Sequence, residues 1–457
     1  MGSAFLSQFI NLLSSPLGMV CAVIGVILAY QARRSPRMAW LLVALCCFAA
    51  SLSEFRDQYV LDPPDLVFPL EQLRAAGRPL SLLLVGLLLW LGVETPNKQS
   101  WRQRFMPSAV WCLMAIQGLI FFKTFASGSL SFALLAFMTF ASTVLMVWLG
   151  PSRWLQDDGQ FYLAIWAIAS VGVLFVIANG YQAFFDLYPI TFVHGALLGT
   201  TGNPQHAATL LATTVPCLLF LMQAQRQQRQ QIFWVIALVL VLIALFLTAS
   251  RTGALMGCLA VLLFFRRGKN QFIRVAFFIG LFVAVLVPIL STLDTNSVAN
   301  QLLDTELENS RLRVWRAMWN AFSAHPFFGA PLQSDRLGYG ENSWLAIAAN
   351  LGIVGLIPLF FFGVSCIRLI LKLDQIATRS PMYSLHSNTI IAGLAALLVG
   401  SIFEAFLLGT ITFPSLALLL YLSLGQYLIE LHQAMNSRLP SGEAPGSYYP
   451  EQLYPNI

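Results

Sequence analysis

Leu247-Thr248-Ala249-Ser250-Arg251-Thr252-Gly253 interrupts what would otherwise be one very long apolar run, ending before it at Ala249 and resuming after it from Ala254 to Phe265. No bilayer holds a helix of that length, so the chain must turn here, and Ser, Thr and Gly are turn residues. The turn places Arg251 at a membrane surface between two spans. Working outward, apolar runs of span length recur along the whole chain. Of 457 residues, 58% are hydrophobic and 10% charged, against about 25% charged in a soluble domain. The expected fold is all-α: a polytopic integral membrane protein with about 12–13 transmembrane helices, forming a single transmembrane domain over residues 1–457. A β-barrel would show short alternating segments, which are absent.

Apolar run length puts spans at about 15–32, 38–54, 79–94, 105–123, 129–150, 161–185, 203–224, 231–249, 252–266, 272–292, 344–371, 386–408 and 411–430. Residues 1–14 are mildly amphipathic and read as a short interfacial helix or frayed end. With no basic region ahead of the first apolar stretch, no cleaved signal peptide is expected. The seven cysteines all lie in apolar runs and read as core residues rather than disulfides or metal ligands. The tail at 439–457, rich in Pro, Ser, Gly and Tyr, is expected to be disordered.

Loop charge sets the orientation. One set of loops is basic: Arg33, Arg34 and Arg37; Lys98, Arg102 and Arg104; Arg226 and Arg229; Arg266, Arg267, Lys269 and Arg274; Arg368, Lys372 and Arg379. These are expected to be cytoplasmic. They alternate with acidic or mixed loops at 54–78, 186–202, 250–251 and 294–342, expected to face the periplasm. The basic residues form no continuous stripe, which argues against nucleic-acid binding.

Four features share the outward face. Arg251 reads either as a span-end anchor at the head groups or, with a helix N-terminus starting at Ser250-Arg251-Thr252-Gly253, as a phosphate site. At Gly202-Asn-Pro-Gln-His206, Asn203 suits a helix cap and Pro204 the first turn, leaving His206 as an interfacial histidine. The loop at 294–342 contains an amphipathic helix in Asn309–Phe322. Leu312, Trp315, Trp319 and Phe322 share one face, and Arg313, Arg316 and Asn320 another. Arg311 projects among the apolar residues, so it wants a buried anionic partner unless the first turn splays away. Glu341, before Asn342 and the next span, reads as a helix-start carboxylate or as a general base. Apart from these, Glu404 within the run to Leu408 demands a partner or a wet cavity, either a structural pair or a substrate contact.

The order of these motifs resembles the O-antigen ligase and O-antigen polymerase superfamily of bacterial membrane glycosyltransferases. The matching residues are Gly202-Asn-Pro204, Ser250-Arg-Thr-Gly253, Ser310-Arg-Leu-Arg-Val-Trp-Arg-Ala-Met-Trp319, His325-Pro-Phe-Phe-Gly329, and Glu341-Asn-Ser-Trp-Leu345 leading to Leu351-Gly-Ile-Val-Gly355. The resemblance covers about residues 200–360 and says nothing of the N-terminal half. It implies a periplasmic, inverting, metal-independent transfer needing no cofactor, in the bacterial inner membrane. The donor would be an undecaprenyl-diphosphate-linked oligosaccharide and the acceptor a glycan or lipid hydroxyl, with membrane lipid around it. Arg251 and Arg311 match the family's diphosphate-holding arginines. Asn203, His206, Arg313, Asn342 and Glu404 are candidate substrate contacts. The family's ligases carry a histidine where this chain has Glu341, which favours a polymerase-like transferase over a lipid A-core ligase. Two other classes compete. A transporter or flippase of a lipid-linked or anionic solute would show broken helices, midplane charges and repeats. A non-catalytic polysaccharide-assembly scaffold would have lost its base.

Overall fold

The computed structural model describes residues 16–52, 64–94, 106–128, 130–192, 195–267, 306–331, 342–407 and 411–438. They form thirteen principal helices: α1 (Pro16–Ala32), α2 (Pro36–Leu52), α3 (Leu70–Glu94), α4 (Ser108–Ala126), α5 (Leu130–Leu149), α6 (Asp158–Phe185), α7 (Pro204–Ala224), α8 (Gln228–Leu247), α9 (Arg251–Phe264), α10 (Glu306–Ala324), α11 (Ser343–Arg379), α12 (Ser384–Phe403) and α13 (Phe413–Arg438). No strand occurs among the described residues. Nine helices there are long and apolar enough to cross a membrane, and the apolar helices in α1, α2 and α9 are shorter. The chain is an all-α polytopic membrane protein. The span expected at 272–292, the interfacial segment at 1–14 and the tail at 439–457 lie outside the described residues. So does all of the 294–342 loop except 306–331 and Asn342.

Boundaries differ from the expected ones where polar residues are carried into a helix. Helix α3 starts at Leu70 and runs through Pro79, which reads from sequence as its start. The extra turns contain Arg74, 7% exposed.

Helices α7, α9 and α12 form the centre of the bundle, and small residues set their spacing. A Cβ on Gly253 of α9 would stand 2.4 Å from the Cβ of Ala208 on α7. One on Gly400 of α12 would stand 2.5 Å from the sulfur of Met256 on α9. Without a solvent-driven force between spans, such close backbone approach is the main source of helix–helix attraction.

The two ends of the bundle differ in chemistry. At one end, Arg266 and Arg267 both reach Asp374 of α11, at 2.6 and 2.8 Å. Arg33 pairs with Glu94 at 2.9 Å. These basic groups belong to the loops read as cytoplasmic. At the other end lie the starts of α7 and α9, with their capping residues Asn203 and Ser250.

Helix α11 departs most from its expected form. The sequence reads as one continuous span from 344 to 371. In the structure Gly352, at φ 64 and ψ −154, breaks it. In an unbroken helix, Trp344 and Gly363 would be about 28 Å apart. Instead the Trp344 ring lies 3.0 Å from where a Cβ on Gly363 would stand. The half 343–351 therefore folds back against the half that follows, and its N-terminus lies inside the bundle rather than at the rim. Gly352 is thus a reversal point, and its missing Cβ also leaves room for the close approach of Phe327.

Candidate functional site at the motif-bearing end of the bundle

The turn before α9 is tightly specified. Ala249 adopts φ 52, the one left-handed non-glycine position among the described residues. Leu247 O accepts a 2.9 Å bond from Leu197 N, tying the end of α8 to the segment before α7. The Ser250 side chain caps α9 by accepting from Gly253 N at 3.2 Å. Arg251 is the first residue of the helix and is exposed, while Thr252 and Gly253 are buried beneath it. A guanidinium thus stands at the capped, positive end of a helix, a combination that favours an anion.

Because Gly253 rests on Ala208, the start of α7 sits beside the start of α9. Asn203 caps α7, its Oδ1 accepting from Gln205 N at 2.8 Å. The capping role read from sequence holds. His206 follows in the first turn and is partly exposed. Gly202, at φ 68, faces Arg74 of α3, whose guanidinium lies 3.7 Å from the position a Cβ would take. Sequence reasoning gave Arg74 no role, since it left 54–78 as loop.

The folded-back half of α11 brings a second group to this end. Asn342 Oδ1 caps it by accepting from Trp344 N at 2.8 Å and Leu345 N at 3.0 Å. Ser343 Oγ donates to Glu404 O at 2.7 Å, and Leu407 N donates back to it at 3.4 Å. Trp344 Nε1 donates to Ser401 Oγ at 2.9 Å. Asn342, Ser343, Ser401 and Glu404 are all buried. Glu404 requires a correction. It is not within a helix but at the C-cap of α12, in extended conformation with φ −135 and ψ 142. It is 6% exposed and its backbone is held by Ser343. Asn342→Ala removes the cap of a recessed helix start. It is expected to cost about 1–2 kcal/mol, read as a lower melting temperature in detergent.

Helix α10 starts at Glu306, earlier than the expected start at Asn309, so Arg311 is not a first-turn residue. Its side chain, and all of Glu341, lie outside the described residues. The face of α10 that packs is also rotated from expectation. Val314, Trp315, Met318 and Ala321 meet the bundle core. The Trp315 ring lies 6.1 Å from that of Phe403 at the end of α12. Leu312 and Trp319 are exposed, as are Arg313 and Arg316. An interfacial helix uses both sides of its apolar arc, one for protein and one for lipid.

Residues 236–360 match the sequence model of a family described as O-antigen ligase. The match supports the resemblance of this part of the chain to the O-antigen ligase/polymerase superfamily. The match runs from α8 into the second half of α11, so it contains the α9 turn, α10 and the break in α11. Curated proteins gave no match to the chain. The apolar helices make the chain a multi-pass membrane protein, and the match over 236–360 suggests a glycosyltransferase-type enzyme.

Proposed function

We propose that this chain transfers a glycan from undecaprenyl diphosphate to an acceptor hydroxyl at the periplasmic face of the bacterial inner membrane, in a polymerase-like reaction. The observation that supports it most is that the 236–360 family match contains Arg251, Arg311 and Glu341 together. Arg251 also stands at a capped helix start. In the proposed step the acceptor oxygen attacks the anomeric carbon and its proton passes to Glu341. The bond from that carbon to the diphosphate oxygen breaks with inversion, and the lipid diphosphate leaves. Arg251 and Arg311 stabilise the charge that develops on it, because paired guanidinium groups act most strongly where water is scarce. Asn203, His206, Arg313, Asn342 and Glu404 line the approach. A carboxylate at position 341, where the family's ligases resembled here carry histidine, supports a glycan acceptor rather than lipid A-core.

The test is purified protein in nanodiscs with an undecaprenyl-diphosphate oligosaccharide, with and without EDTA. A product ladder with released lipid diphosphate, unaffected by EDTA, is the expected result. A single adduct that needs an added acceptor would mean a ligase instead. Glu341→Gln is expected to lower the rate about 100-fold or more, as loss of a general base does. A rate unchanged across pH would remove Glu341 from that role. One observation favours a second reading: the re-entrant start of α11 is a form that transporters use. Movement of intact donor across vesicles with no diphosphate release would establish it.

A further inference from the structure

The break in α11 leaves backbone groups that a continuous helix would satisfy internally. In such a helix Ala349 O would accept from Ile353 N, and Asn350 O from Val354 N. Here Ile353 N donates to Pro326 O at 2.8 Å and Val354 N to Phe327 O at 3.3 Å. Ala349 O accepts instead from Ala330 N at 2.8 Å. The segment Pro326–Ala330, which directly follows α10, is therefore threaded into the break. Two glycines make room. Gly329, at φ 73, would place a Cβ 2.3 Å from Asn350 C, and Gly352 would place one 2.4 Å from Phe327 O.

That exchange leaves Asn350 O, and the carbonyls of the inserted segment, to be met from elsewhere. Lys123 near the end of α4 meets them. Its Nζ donates to Phe328 O at 2.9 Å, to Ala330 O at 2.7 Å, and to Asn350 O. A compact ammonium has three donors and a positive charge, which suits converging carbonyls at a helix C-terminus. Lys123 is half-buried there. Nothing in the motif reading of the chain gave it a part.

We infer that Lys123 is a positioning residue, an ammonium clamp joining α4, the break in α11 and the segment after α10, which fixes the C-terminal end of α10. The inference rests on the proposed transfer for its consequence, but the clamp itself is independent of activity. Lys123 acts through α10, the helix whose sequence includes Arg311, and a misplacement of about 1 Å in a charge-stabilising group costs about 100-fold in rate.

The test compares full-length wild type, Lys123→Met, Lys123→Gln, Arg311→Ala and the Lys123→Met/Arg311→Ala pair in nanodiscs. Amide hydrogen exchange reads the clamp directly. In Lys123→Met, exchange at Ala330, Ile353 and Val354 is expected to speed up about tenfold or more, with exchange in α7 and α12 unchanged. With donor and acceptor supplied, kcat is expected to fall about 10- to 100-fold. Lys123→Gln, which keeps N–H donors without the charge, is expected to lie between. The double variant is expected to be no slower than Arg311→Ala alone, since both lesions act through one group.

Unchanged exchange at the break overturns the clamp. Faster exchange with wild-type kcat overturns the positioning role, as does a double variant whose losses multiply. Exchange that rises throughout the bundle makes Lys123 a general structural residue and also overturns it. A wild type that transfers nothing counts against the proposed function, while the exchange result still decides the clamp.

Discussion

Arg251→Ala and Arg311→Ala are each expected to lower glycan transfer by about 100- to 1000-fold, the usual loss when one preorganised donor to a developing negative charge is removed. Folding is expected to survive in Arg251→Ala. Arg251 is exposed at the first position of α9, and the cap that orders the helix start comes from Ser250. The melting temperature should stay near that of wild type. Arg251→Lys should recover part of the rate, because an ammonium keeps the charge but loses the forked geometry that grips two phosphate oxygens. The measurement is release of lipid diphosphate at saturating donor. Near-wild-type release in both alanine variants would remove the diphosphate clamp from the mechanism.

Gly352→Ala is expected to have the largest effect on stability. Two costs add. A side chain at φ 64 and ψ −154 occupies a region open essentially to glycine alone, at about 1–3 kcal/mol. The new Cβ would also stand 2.4 Å from Phe327 O and 2.5 Å from Phe327 C, which are backbone atoms that cannot swing aside. Overpacking of that kind costs about 1–3 kcal/mol more. A total of about 2–6 kcal/mol is enough to unfold a marginal membrane protein, so loss of the monodisperse peak on size exclusion is the expected result. Gly329→Ala should behave alike, for its Cβ would meet Asn350 C and O from the opposite side. Gly86→Ala on α3 is the control, because a Cβ there meets nothing within 4 Å. Equal melting temperatures for Gly352→Ala and Gly86→Ala would mean that the inserted segment is not seated in the break.

These two expectations differ in what made them visible. The arginines were proposed from the sequence alone. A charged residue amid apolar runs is costly in lipid, so its place in the chain already marks it. The same physics made the helices readable, and the match at 236–360 covers the quoted motifs from Ser250 onward but not Gly202-Asn-Pro204. The cap at Asn203 was legible too, since capping is a local interaction between neighbours in sequence.

The reversal at Gly352 was not legible. The run 344–371 is apolar enough to read as one span, and a glycine inside such a run usually marks close packing. What decides for a break is the supply of partners for its freed backbone groups. They come from Pro326, Phe327 and Ala330, and from Lys123 more than two hundred residues away in the chain. The placement of Glu404 was hidden for the same reason. Its run of apolar neighbours suggested a helix, but Ser343, sixty-one residues earlier, holds its backbone in extended form. The sequence by itself determined which segments leave water and which residues carry charge, because transfer free energy is a property of each side chain. The tertiary structure alone decided where the helices end and which polar groups meet, because a backbone hydrogen bond in the membrane is kept or broken according to what the rest of the fold offers in exchange.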